Sequence, residues 1–373
     1  MDRPPHIDRG RVRANPNERA IAMSQSALEP PVTDPTPIFE IFRGNHGTEL
    51  LTAAVAHFDV FGRLAAGPRT PEDLRDELGL AERPAVVLLT ALRAFGLLVG
   101  DDRGRLDLSP LAREHLTPGG AFDVGGYVGL AAESPGVVEM VERLRSNRPA
   151  GAEAEDEGAA FIFREGIESA MEREASARHL TLALAGRARN VAPFLAARYP
   201  LDGARVLLDV GGGTGIYSIA WLQRHPALRA IVWDRPEVLK VAAEMATAFG
   251  VADRLECRPG DMFRDSPPGG VDVVLLSNIL HDWDVPECRA LVARCAGALS
   301  PGGQLLIHDV FLNDAHDGPL PIALYSAALF RLTEGRAYSA AEYRAWLTEA
   351  GLVPGDITRT LIHCGVLPAL RPA

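Results

Sequence analysis

Leu208-Asp209-Val210-Gly211-Gly212-Gly213-Thr214-Gly215 runs an apolar strand into a glycine-rich turn, and the residues from Ile216 onward read as a helix. Glycines at 211, 213 and 215 let the backbone turn sharply and approach a ligand with no Cβ in the way. The first turn of the following helix adds free N–H groups. This is the layout of a nucleotide-cofactor site. Its spacing is G-x-G-x-G, whereas a dinucleotide fingerprint needs G-x-G-x-x-G, and position 216 is Ile216.

Outward from that turn, Ala230-Ile231-Val232-Trp233-Asp234 ends in an acid roughly 20 residues on, where a carboxylate can hold two ribose hydroxyls. Gly260-Asp261-Met262 follows a short strand over 254–258 and could set an acid against an adenine edge and a Met against its face. Strands near 205–210, 229–234, 254–258, 271–277 and 303–311 alternate with helical segments, and 357–366 can supply a last strand or hairpin. The pattern specifies an α/β fold with a doubly wound, Rossmann-like parallel sheet. Three signals, each at the carboxyl end of a successive strand, make a cofactor site of Asp209, Gly211, Gly213, Gly215, Asp234, Asp261 and Met262.

The chain has 373 residues, 47% of them hydrophobic, enough for a large core and two domains. A formal net charge of −11 argues against nucleic acid or an anionic membrane as partner, since either needs a basic face. The four cysteines, Cys257, Cys288, Cys295 and Cys364, have neither CxxC nor paired spacing, so no disulfide frame or metal site is expected, and a reducing cytoplasm is. The sequence contains no run of about 18 apolar residues and no apolar signal core. Residues 1–33 are rich in Arg, Pro, Asn and Asp without a period, which predicts a disordered extension with Met23 as a candidate start.

Residues 34–160 form a second predicted unit, with the remainder, 161–373, led by a linker helix over 167–195. Ile38, Ile41, Phe42, Leu50, Leu51, Ala54 and Val55 read as one apolar helix face. Thr70-Pro71-Glu72-Asp73 starts a helix that Gly79 stops, a second helix spans about 83–95, and Gly96–Val99 with Arg105–Leu108 reads as a hairpin. The order is winged-helix-like. Its second helix carries Pro84, Ala85, Val86, Val87, Leu88 and Leu89 with only Arg83 and Arg93 as cations, too few to neutralise the phosphates of DNA.

DVGGGTG, the acid of VWDRPEV, the GDMF turn, and NILHDWDVPEC followed by LSPGGQLLIHD together resemble the S-adenosylmethionine-dependent class I small-molecule O-methyltransferases that carry an N-terminal winged-helix dimerisation domain. The resemblance covers Asp34 to about Ala350. It implies S-adenosyl-L-methionine as cofactor, a small aromatic or polyketide-like acceptor, a homodimer and no metal. Ser277 stands where many relatives carry a Lys near the cofactor.

Ligands of such a sheet gather at the carboxyl ends of its strands, where Asn278-Ile279-Leu280-His281-Asp282-Trp283-Asp284 falls. His281 suits a general base, because an imidazole can take a phenolic proton near neutral pH. The resemblance gives it that role and gives Asp309 the role of orienting it. It also implies a second acid in the later segment, which here reads Gly335-Arg336-Ala337-Tyr338-Ser339. With Ala337 at that place, transfer could rest mainly on proximity, with Glu334, Tyr338 or Asp282 compensating in part. His308 reads as structural, and His363 has no constellation around it. Acceptor contacts are expected from Phe161, Phe163, Met171, Asp282, the segment Tyr325–Leu332 with Phe330 and Arg331, and the helix over 125–130, with Arg331 able to pair with an acidic group. Two further readings stay open: methylation at carbon or nitrogen, and a non-methylating hydroxylase or decarboxylase that keeps the cofactor site.

Overall fold

The computed structural model describes residues 25–148 and 174–373. In its N-terminal part, α1 (Thr36–Arg43) and α2 (Gly47–Thr52), the latter continued by a π-turn, lead to α3 (Val60–Ala65), α4 (Pro71–Leu78) and α5 (Glu82–Ala94). The hairpin β1 (Leu98–Gly100) and β2 (Leu106–Leu108) follows, then α6 (Pro110–His115), α7 (Gly125–Val128) and α8 (Pro135–Ser146). The Thr70 side chain accepts from Asp73 N at the start of α4, and Gly79 ends that helix in the left-handed region, as the sequence predicts.

The second part opens with α9 (Glu174–Arg198) and alternates β3 (Val206–Val210), α10 (Ile216–Arg224), β4 (Arg229–Asp234), α11 (Pro236–Ala248), β5 (Leu255–Pro259), β6 (Val271–Ser277), α12 (Val285–Ala298) and β7 (Leu299–Val310). It closes with α13 (Leu320–Leu332), α14 (Ala340–Glu349), β8 (Val353–Pro354), β9 (Thr358–Arg359) and β10 (Cys364–Leu370). The sheet order is β5-β4-β3-β6-β7-β10-β8, with β9 also on β10. The strands from β5 to β7 pair in parallel, and β10 is antiparallel to β7. Apolar clusters cover both faces, as a parallel sheet requires. The topology is the doubly wound sheet expected.

Three expectations are corrected. Residues 25–33 are ordered within the extension predicted to be disordered: Ala27 is buried against the α9/α10 cluster and its N–H donates to Gln223 Oε1. One small side chain and a waiting acceptor suffice where composition showed no period. The single apolar face over residues 38–55 is two faces, because the chain turns after Arg43; Leu50 and Ala54 enter the core while Ile38, Ile41 and Phe42 are 70–81% exposed. Arg83, counted among the surface cations of the winged-helix motif, is buried; its guanidinium donates to Asn147 Oδ1 and to the carbonyls of Asn147, Thr333 and Gly335, which ties α5 to the second part. The start of the linker helix and the boundary at 160/161 lie outside the described residues. α13 packs on α5 and places Ala327 and Phe330 in the N-terminal core, so the two parts share one packed seam.

Candidate active site

The glycine turn is built as its sequence predicts. Gly211, Gly213 and Gly215 have φ of 64°, 59° and 67°, a region open to glycine and strained for other residues. Gly213 N donates to Asp234 Oδ2 at 2.9 Å, which brings the end of β4 against the turn, and a Cβ at 213 would meet nothing within 4 Å. Asp209 departs from expectation: it is 1% exposed, accepts from Ser218 Oγ at 2.7 Å, and burial pushes its pKa up to about 7. It props the turn from beneath and is closed to a ligand. Asp261 Oδ1 accepts from Phe263 N and Arg264 N, with Met262 half-buried beside it. Ser277 Oγ lies 2.8 Å from His308 Nδ1 and accepts from Asn278 Nδ2, and His308 Nε2 lies 3.0 Å from Thr360 Oγ1. His308 is structural, and burial depresses its pKa to about 3.

His281 sits in a single 3-10 turn (Leu280–Asp282) after β6. The helix cap is taken by Asp284, whose Oδ1 accepts from Val285 N, so His281 is free of that duty. Its Nδ1 lies 2.7 Å from Asp309 Oδ1, with both residues buried. Asp309 is fixed in turn by Val310 N and by the Tyr343 hydroxyl, which donates to Oδ2 at 3.2 Å. Burial alone would depress His281; the carboxylates of Asp309 and Asp282 outweigh it and raise its pKa above the ordinary value. Burial likewise opposes ionisation of Asp309, and His281 reverses that and lowers it. A carboxylate on Nδ1 fixes the tautomer that leaves Nε2 as acceptor. Asp282 Oδ1 is 3.8 Å from Nε2, and burial lifts its pKa to about 6.

The segment missing its acid crosses directly over this turn. A Cβ at Gly335 would overlap the His281 carbonyl, so only glycine fits there. Ala337 is fully buried in an apolar cluster with Val310, Leu312, Ile322 and Cys364. Tyr338 donates to the Trp283 carbonyl at 2.5 Å, and Trp283 itself packs on Phe263. The imidazole is therefore oriented by Asp309 with Tyr343 behind it. Tyr343 carried no signal beyond an apolar helix face.

Two acceptor candidates move away from the site. Phe330 is fully buried in the N-terminal core under the Arg83 guanidinium, because α13 turns that face toward α5. Arg331 is held by Glu139, with its Nε and Nη2 donating to the carboxylate at 2.8–3.1 Å. Phe161, Phe163 and Met171 lie outside the described residues. Gly125 and Gly126 line a cleft of about 520 Å³ with Val55, Phe61 and Leu116, sharing no residue with the His281 site.

Tyr325, from the same expected segment, stays beside His281. The Tyr325 ring stands nearly perpendicular to the His281 imidazole, with centroids 5.7 Å apart. Arg43 lies over the same ring at 3.7 Å and lines a narrow cleft with Phe39, Glu40, Ile322, Tyr325 and His363. His363 Nε2 is 2.6 Å from Glu40 Oε1, a constellation that sequence spacing could not reveal. Arg187 on α9 donates to Cys364 Sγ at 2.8 Å.

These residues fit an adenosyl sulfonium cofactor. The open side of Gly213, the Asp234 carboxylate and the buried Asn278 Oδ1, which has no hydrogen-bond partner among the described residues, together offer a cradle with polar atoms for a ligand. Residues 158–353 match the O-methyltransferase domain family. The chain belongs to the S-adenosylmethionine-dependent O-methyltransferases. Over 88% of its length it is 36% identical to the 3-hydroxy-5-methyl-1-naphthoate 3-O-methyltransferase of Streptomyces sahachiroi, covering 93% of that protein. It is 30% identical to the L-tyrosine C(3)-methyltransferase of Streptomyces lavendulae over 78% of this chain and 79% of that one. An O-methyltransferase family 2 protein of Planctomyces limnophilus, crystallised with apigenin, is 49% identical, with a TM-score of 0.84 over 94% of this chain and all of the other. S-adenosylmethionine is the cofactor of this methyltransferase, and its partner in the reaction is a small-molecule acceptor.

Proposed function

We propose that the methyltransferase acts on a hydroxyl of a small aromatic or polyketide-like secondary metabolite, with His281 as general base. The observation that carries this reading is the His281–Asp309 contact at 2.7 Å inside a closed site. Asp309 holds Nδ1, so Nε2 takes the phenolic proton as oxygen becomes nucleophilic, and Asp309 balances the imidazolium that forms. Bound cofactor supplies an electrophilic methyl on a positively charged sulfur. Asp234 and the Gly211–Gly215 turn would hold its nucleoside, with Asp261 and Met262 toward its base and Ser277 and Asn278 toward β7. Asp282 and Tyr325 close the acceptor side. Holding two reactants in line in a dry site accounts for much of the rate in such a transfer.

The N-terminal part serves as the dimerisation domain in this reading. Ile38, Ile41 and Phe42 on α1 form an exposed apolar face next to Arg43, and a second copy of the chain would cover it. The net charge of −11 disfavours nucleic acid and anionic membranes as partners. No helix among the described residues is long and apolar enough to cross a membrane, and a cytoplasmic site of action completes the proposal.

Carbon methylation of a phenol ring is the second reading, favoured by the similarity to a protein named as a C-methyltransferase. It needs the same base. Incubation with methyl-labelled cofactor and a panel of hydroxylated aromatics tests both: equal amounts of labelled methyl ether and S-adenosylhomocysteine establish the first, and label on ring carbon replaces it with the second. Cofactor turnover without a methylated product overturns both.

A further inference from the structure

His281 sits on a turn that is held from outside. The 3-10 turn Leu280–Asp282 has three residues and follows Asn278, whose φ of 56° lies in the left-handed region. So short a turn has almost no hydrogen-bond ladder of its own to fix it. Its neighbours do that: the Cys288 thiol donates to the carbonyls of Leu280 and Trp283, and the Tyr338 hydroxyl donates to Trp283 as well. Gly335 makes the closest approach. A Cβ there would overlap the His281 carbonyl and crowd Trp283 N, so the Gly335 backbone rests directly against the turn that carries the imidazole.

The Gly335 segment is itself held from the N-terminal part. Arg83, in the first turn of α5, is 4% exposed, and its Nη1 donates to the carbonyls of Thr333 and Gly335 at 3.0 and 3.2 Å. Its Nε and Nη2 donate to Oδ1 and the carbonyl of Asn147, both at 2.8 Å, and Asn147 caps the end of α8 with a φ of 55°. The guanidinium also lies over the Phe330 ring of α13. Thr333 Oγ1 accepts from Gly335 N and donates to Leu329 O, which stiffens the short span between the two carbonyls that Arg83 grips. One planar fork of N–H donors thus fixes the start of α5, the end of α8 and the end of α13 at set angles, a task for which a lysine is too mobile.

We propose that Arg83 is a positioning residue for methyl transfer: it holds the Gly335 backbone against the His281 turn and so keeps the imidazole on Asp309, which makes the N-terminal part a working component of the catalytic site. The proposal rests on the reading of His281 as general base. Without Arg83 the segment is free to lift, the turn beneath it relaxes, and the His281 Nδ1–Asp309 contact at 2.7 Å is the bond that loosens. A small misplacement of a catalytic group costs rate out of proportion to its size.

NMR titration of the S-adenosylhomocysteine-saturated protein, with carbon-13 in its histidine rings, tests this without turnover, and His281→Gln assigns the His281 signal. Burial lowers the His281 pKa and the carboxylates of Asp309 and Asp282 more than offset it, so a ring drawn off Asp309 titrates lower. Arg83→Met is expected to lower that pKa by about half a pH unit or more, and kcat for the best acceptor in the hydroxylated panel by about tenfold, with S-adenosylhomocysteine affinity within about twofold of wild type. Arg83→Lys keeps the charge and part of the reach, and recovers some of both losses. Leu64→Ala, which opens a cavity in the N-terminal core on α3, lowers the melting temperature and leaves the His281 titration in place. If Arg83→Met does not fold, Arg83→Lys and Asn147→Gly carry the same comparison. An unmoved His281 titration in these variants overturns the proposal, and so does an equal shift in Leu64→Ala, which would trace the effect to general loosening. A His281→Gln enzyme that turns over at the wild-type rate overturns the general-base reading instead, whatever the Arg83 variants show.

Discussion

The cofactor half and the acceptor half of the site are built by opposite means. The proposed cofactor half is largely backbone: three glycines with positive φ, one carboxylate at the end of the adjacent strand, and a buried acid bonded to Ser218. Its parts lie within about one βαβ unit of sequence, the span over which nucleotide sites are encoded. The acceptor half proposed around His281 is made of side chains from the turn after β6, the end of β7, α13 and α14. A turn tolerates change in everything except its glycines. A converging pocket depends on how every element packs, so its chemistry can be retuned one residue at a time.

The comparison breaks most sharply at His281. If the acceptor half performs the proton transfer, His281→Ala lowers kcat by about 10²–10⁴ with cofactor affinity unchanged. A loss below tenfold in steady-state turnover would mean that alignment of the two reactants carries the rate, and that the acceptor half only holds its ligand.

Asp309→Asn removes the charge while keeping the shape. The carboxylates raise the His281 pKa, and catalysis needs the neutral imidazole, so wild-type kcat/KM rises with pH through a pKa above the ordinary histidine value near 6.5. In the variant that limb moves to lower pH, while the plateau falls by about 10- to 100-fold as the tautomer and the imidazolium lose their support. An unmoved limb in the pH–rate profile would show that another group titrates.

Asp234→Ala tests the other half. It should weaken cofactor binding by about 1–3 kcal/mol through lost hydrogen bonds, measured by calorimetry, and it also releases Gly213 N from its acceptor. Acceptor affinity in cofactor-saturated protein should hold, because the two halves share no side chain. Coupled losses would merge them into one unit.

How much of each half was legible in the sequence follows from the same contrast. The alternation of strands and helices, the glycine turn and Asp234 are carried by local patterns and the His281–Asp309 pair by the family resemblance, and the structure joins Gly213 to Asp234 and His281 to Asp309. Asp209 is expected at the cofactor and is buried on Ser218 instead of open to solvent, because period-2 alternation does not say which way a strand-end carboxylate turns. Arg43 was hidden in a stretch that reads as a continuous apolar face, and Arg187 in a long helix with little amphipathic contrast, so neither could be assigned a partner before α1, α9 and α13 were packed. Phe330 and Tyr325 lie five residues apart on one helix, and only the docking of α5 decides which enters the core and which faces His281.

Arg331 gives the smallest expected effect and tests whether that assignment is complete. The sequence offers it as a cation for an acidic acceptor, and it lies on the same helix as Tyr325. The structure commits it to Glu139 in a bidentate pair whose side chains are 36% and 33% exposed. Pairs this open to water contribute on the order of 1 kcal/mol or less, because solvent screens the attraction and both side chains lose rotamer freedom. Arg331→Ala should therefore lower the melting temperature by a few degrees at most. KM for an acidic acceptor should stay within twofold of wild type. A tenfold rise in KM for the acid alone would return Arg331 to the pocket. It would mean that Glu139 is a resting partner, released when acceptor binds, and that the acceptor half recruits its charges from further along α13 than Tyr325.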